Sequence, residues 1–142
     1  MHQDNDTLGN AYTVNHDASV TQMADIIDAY LGSQATVMPL LDELLLTDPT
    51  MPMAICLRTY LLKLGSDPRL ATPIQRGLDS LTALEDSLNP REKMHLQALT
   101  SWVANQLLAT VETLEAILAS YPRDMLALRL AHYLHFYAGS AK

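Results

Sequence analysis

The chain has 142 residues, and its 49% hydrophobic and 18% charged composition is that of a globular domain with its own core rather than a disordered segment. Its net charge of −7, with no clustered Lys or Arg, repels a phosphate backbone and excludes nucleic acid as the expected partner. Cys56 is the single cysteine, so an intrachain disulfide and a cysteine-based metal site are both ruled out.

The first seventeen residues, MHQDNDTLGNAYTVNHD, are polar where a signal peptide is apolar, and no later run is long enough to span a bilayer. A cytoplasmic protein without membrane association is therefore expected. Residues 1–18 hold few large apolar side chains and several turn formers, which predicts an irregular N-terminal segment lying along a helical region over 19–142. Ser19 with Gln22 three residues later predicts a capping box opening the first helix. Met23, Ile26, Ile27, Tyr30 and Leu31 follow at helical spacing, and Gly32 is the expected left-handed stop.

A second helix is predicted over about 34–47, with Pro39 in its first turn, and a third over about 52–64, ending before Gly65. Asp67-Pro68 restarts the chain as cap and first-turn proline, opening a fourth helix that runs to Leu88. Gly77 inside it costs roughly 1 kcal/mol relative to Ala, which points to close helix approach or a kink. In NPRE, Asn89 caps, Pro90 takes the first helical position and Glu92 completes a capping box for the fifth helix. No Gly or Pro separates it from the sixth, so the turn between them rests on Asn105, a residue type that tolerates left-handed geometry. The seventh helix, Arg123 to Gly139, is apolar on nearly every side. No segment alternates at period two, and the chain is predicted to be all-α with about seven helices.

Prolines mark three joints, Pro49, Pro90 and Pro122, at intervals of 41 and 32 residues. Superposing the outer two, 73 apart, also brings Leu41 onto Leu114, Leu45 onto Leu118, Ala54 onto Ala127 and Tyr60 onto Tyr133. Such self-similarity predicts antiparallel helix pairs stacked into an array.

Pro90, Arg91, Glu92, His95, Ala98, Leu99 and Trp102, followed by Pro122, Arg123, Asp124, Leu126, Ala127, Leu128, His132, Phe136, Tyr137 and Gly139, resemble two stretches of the tetratricopeptide repeat protein 38 family. The similarity extends over about residues 6–139, is most specific in the last fifty, and departs from the family at Asn105-Gln106, where a Gly-Asp turn is usual. It corresponds to the N-terminal third of such proteins. The resemblance implies a right-handed, tetratricopeptide-like superhelix and a binding role rather than a reaction, with the array expected to continue past Lys142.

His132 and His135, three apart, share a helix face, yet no third ligand lies near them in sequence and no metal or cofactor is expected; packing or hydrogen bonding is the plainer role. Glu92 and His95 form a possible acid/base pair, although Glu92 already has a capping task. Trp102, Tyr133, Tyr137 and His135 are the candidate binding residues, as anchors for a peptide in a concave face. Seven Met residues are either core filler or an adaptable lining. The expected function is protein interaction or scaffolding, with self-association through Arg123–Gly139 as one form of it. The alternative is an enzyme or enzyme subunit in which Glu92, His95 and His132 do acid/base work, and it requires those three side chains to converge on one accessible pocket.

Overall fold

The computed structural model describes the backbone of residues 1–140 and the side chains of residues 1–135. Two short strands, β1 (His2–Asn5) and β2 (Ala11–Val14), precede α1 (Ala18–Leu31), α2 (Val37–Thr47), α3 (Pro52–Leu64), α4 (Ala71–Ala83), α5 (Pro90–Val103), α6 (Leu107–Ser120) and α7 (Met125–Ser140). Single 3-10 turns at Pro68–Leu70 and Glu85–Ser87 flank α4. The all-α class holds, with each helix packed on the next.

The apolar stripes meet in one core that includes Met23, Leu41, Leu57, Leu99, Leu114 and Leu130. Acidic residues of the LLDEL and LEDSL stretches, Asp42, Glu43, Glu85 and Asp86, remain exposed.

The repeat is visible in the backbone. α1 and α5 end in the same turn, 72 residues apart. The Gln34 N–H bonds to Ala29 O and the Ser33 N–H to Tyr30 O, just as the Gln106 N–H bonds to Ser101 O and the Asn105 N–H to Trp102 O. α2 and α6 end 73 residues apart on Asp48 (φ −134°, ψ 73°) and Tyr121 (φ −132°, ψ 73°). The next bonds match as well, Met51 N–H to Asp48 O and Asp124 N–H to Tyr121 O. Asn105 takes the predicted left-handed conformation (φ 60°). Gly32 does not: the left-handed residue is Ser33 (φ 56°), and Ser66 (φ 51°) rather than Gly65 does the same after α3. In both cases the last helical hydrogen bonds reach one residue further than the glycine suggests.

Three other expectations are corrected. The N-terminal segment is an antiparallel hairpin, pairing His2 with Val14 and Asn5 with Ala11 around a turn in which Gly9 has φ 83°. Its alternation is hidden because β1 is polar throughout and only β2 packs inward. The Ser19–Gln22 box does not form, since Ser19 Oγ donates instead to Asp48 Oδ2 at 2.8 Å and α1 starts one residue earlier without a side-chain cap. α4 stops at Ala83, because the chain tightens into the Glu85–Ser87 turn and leaves Leu88 extended ahead of Asn89-Pro90.

Gly77 marks close approach rather than a kink. A methyl group there would overlap Thr59 Oγ1 on α3, and that hydroxyl is fixed by donating to Ile55 O at 2.8 Å. Gly77→Ala is therefore expected to cost about 1–3 kcal/mol through overpacking, even though Ala favours a helix by about 1 kcal/mol. Pairing it with Thr59→Ala should recover part of that loss in urea unfolding. Simple additivity of the two changes would refute the contact.

Over the described side chains, the face of α7 predicted to be uncovered is mostly filled from within. Leu126, Ala127, Leu130, Ala131 and Leu134 are buried, α7 packs on α6, and it touches α1. The Arg129 guanidinium lies over the Tyr30 ring at 5.9 Å and bonds Ser33 Oγ at 3.3 Å. What remains open on α7 includes Leu128, 49% exposed, and Tyr133, 38% exposed, where its repeat counterpart Tyr60 is fully buried.

Candidate functional site

Two regions hold Glu92, His95, Trp102 and Tyr133 of the residues singled out by sequence. The first is a sealed polar network under the hairpin. Asn89 and Glu92 form the predicted capping box, which places Arg91, Glu92 and His95 on the first turns of α5, all buried. The Glu92 carboxylate accepts from Thr13 N–H at 2.9 Å, Thr13 Oγ1 at 2.6 Å and Asn89 N–H at 3.0 Å.

His95 lies on a separate branch. Its Nε2 is 2.7 Å from Asp124 Oδ2 and its Nδ1 is 2.9 Å from Tyr60 Oη. An ionised carboxylate only accepts, so Nε2 carries the hydrogen. Asp124 also accepts from Arg91 Nη1 at 2.9 Å and, through Oδ1, from the Ala127 N–H at 2.9 Å, which caps α7. Burial opposes ionisation of Asp124, but the neighbouring His95 and Arg91 and the hydrogen bonds from His95 and Ala127 outweigh it, and its pKa lies well below the usual carboxylate range.

Tyr60 continues toward Cys56, and burial pushes both the phenol and the thiol above their ordinary values. Neither is an anionic nucleophile in this setting. Among these side chains only Arg91 Nε lacks a hydrogen-bond partner.

The second region is open. A groove of about 790 Å³ lies between the end of α3, the start of α4, the end of α5 and the middle of α7, with Lys63, Leu64, Ile74, Trp102, Val103 and Tyr133 on its walls. Its size suits a bound side-chain cluster or small ligand, which typically needs about 300–1,000 Å³. A neighbouring hollow of about 440 Å³ shares Leu64 and Tyr133 and adds Tyr30, Met38 and Arg129, so Tyr133 stands between the two. Ser33, Ser66 and Asn105, the left-handed residues that follow α1, α3 and α5, all border these hollows, because the helix-pair turns gather at one end of the array. Lys63 Nζ donates to Asn105 Oδ1 at 2.9 Å and ties two of those turns together.

Trp102 and Tyr133, both singled out by sequence, line the same groove although they lie on different helices. The fold does not bring Glu92, His95 and His132 together. Glu92 and His95 are sealed, and His132 is exposed on α7, so no shared accessible pocket joins them. His135 is exposed as well and is not part of the groove wall; neither histidine has the packed surroundings expected for it. Tyr137 lies outside the described side chains. Lys63, Leu64 and Arg129 were missed, since nothing in the sequence marks the end of α3 as a neighbour of α7. Among the described residues no group of three His, Cys, Asp or Glu side chains is placed to hold a metal, and no helix is long and apolar enough to cross a membrane.

No family model matches the chain, and no solved structure matches it significantly.

Proposed function

We propose that this chain is a helical-repeat module for protein interaction, holding an apolar segment of a protein partner against Trp102, Leu64 and Tyr133. The observation that carries this reading is that one open groove is lined by the largely buried Trp102, by Tyr133, 38% exposed, and by aliphatic side chains at the place where the helix-pair turns converge. Aromatic anchors in a concave apolar setting are the usual centre of a binding hot spot. The tetratricopeptide-like superhelix and the resemblance to the tetratricopeptide repeat protein 38 family belong to the same proposal, supported by the 72- and 73-residue recurrence of the turns. So does a cytoplasmic location, in keeping with the single buried cysteine.

The test compares proteins captured by the wild-type chain, by Tyr133→Ser with Leu64→Ser, and by Leu108→Ser. Leu108 is 60% exposed on α6 and outside both hollows. Loss of a specific partner by more than tenfold in the groove variant, with retention in the Leu108 variant, supports the reading. Equal capture by all three sinks it.

A further inference from the structure

The hairpin is held on the array like a bound peptide. β2 pairs with β1 along one edge, while its other edge is met by side chains in place of a third strand. Ala11 O accepts from Arg91 Nη2 at 2.8 Å and Asn89 Nδ2 at 3.1 Å, and the Thr13 N–H donates to Glu92. The side chains are read too. Tyr12 is buried with the Arg91 guanidinium 4.6 Å from its ring centre, Thr13 Oγ1 donates to Glu92, and Val14 enters the core.

The flanking residues reach the two other inter-pair turns. The Asn15 N–H and side-chain amide donate to Asp48 at 3.0 and 2.8 Å in the α2–α3 turn, and Asn10 Nδ2 donates to Arg123 O at 3.0 Å in the α6–α7 turn. Six consecutive residues therefore span three turns of the array.

The polar groups of the seat are also placed by contacts outside the hairpin. Arg91 and Glu92 are presented by the Asn89–Pro90 cap of α5, and Asp124, which holds Arg91, is the cap of α7. The hairpin joins the helices only through the exposed stretch Asn15–Asp17. We infer that the inter-pair turns ahead of α3, α5 and α7 form a recognition site for an extended segment of the pattern Asn-x-Tyr-Thr-x-Asn, which residues 10–15 of this chain occupy in cis. The site lies at the inter-pair turns and shares no residue with the Trp102–Tyr133 groove. Tethering gives the resident segment an effective concentration on the order of millimolar, so a competing peptide gains access only when the tether is cut or the resident segment weakened.

The test uses the full chain with a protease recognition sequence inserted between His16 and Asp17, cleaved after folding, and a fluorescent synthetic peptide of residues 1–16. The labelled peptide is expected to bind the cut chain and not the uncut one. A Thr13→Ala, Asn15→Ala peptide should compete at least tenfold less well. The inference is overturned if the cut chain, with or without its helical circular dichroism, takes up no labelled peptide, or if a scrambled peptide competes equally. Should the insertion itself prevent folding, the uncut Thr13→Ala, Asn15→Ala chain should show a thermal midpoint that rises with added wild-type peptide. Absence of any rise overturns the inference equally.

Discussion

Replacing Asp124 with Ala is expected to destabilise the fold by about 3–5 kcal/mol, the loss typical of removing one partner from a buried ion pair. One carboxylate receives Arg91, His95 and the first-turn N–H of Ala127, all away from water. Its removal leaves the Arg91 charge buried and unpaired, since this side chain is only 3% exposed. It also uncaps α7, which by itself costs about 1 kcal/mol. Asp124→Asn keeps the volume and an acceptor for the cap but not the charge, and should fall between wild type and Asp124→Ala. Adding Arg91→Met to Asp124→Ala should restore part of the stability, because deleting both members of a buried pair costs less than deleting one. Urea unfolding of the four proteins decides the matter. A loss below about 1 kcal/mol for Asp124→Ala would show that the network contributes little.

Acid should unfold the protein through two aspartates. At Asp124 burial disfavours the charge, but His95, Arg91 and Ala127 reverse the balance. At Asp48 burial is likewise outweighed, here by hydrogen bonds from the backbone and side chain of Asn15, from Ser19 Oγ and from the His16 N–H. Both groups therefore have a folded pKa below the unfolded one. A carboxyl of this kind binds fewer protons folded than unfolded, so its stabilisation is complete above the unfolded value and is lost as the pH falls toward the folded value. With an unfolded Asp near 3.9, the urea midpoint should fall progressively between about pH 4 and pH 2. Asp124→Asn, which cannot titrate, should start lower and show a shallower fall. A midpoint independent of pH across that window would contradict the assignment of these carboxylates.

The two aspartates show how unevenly the fold was legible. Helices opened by a strong local signal were readable: Asn89-Pro90 with Glu92 forms the predicted box, and Asn105 takes the predicted left-handed turn. Those signals act within four residues and depend on no distant partner. Ser19 carries the same kind of signal and fails, because Asp48, 29 residues away, takes its hydroxyl. The hairpin was not readable for a similar reason. The outer edge of β2 is satisfied by Asn89, Arg91 and Glu92, some 80 residues downstream, rather than by a third strand.

The candidate sites divide along the same line. Sequence by itself determined the helix content, the proline-marked joints and the 73-residue recurrence, since periodicity, capping and spacing are local properties of the chain. Tertiary structure alone decided what the candidate residues do. It sealed Glu92 and His95 beneath a strand, left His132 and His135 exposed, covered Leu126 and Leu130 from within the chain, and brought Tyr133 of α7 beside Trp102 of α5 and Leu64 of α3. The physical reason is that burial and partnership depend on which helix faces meet across the core. Residues with one periodicity and one composition become anchor, filler or network member only when those faces are packed.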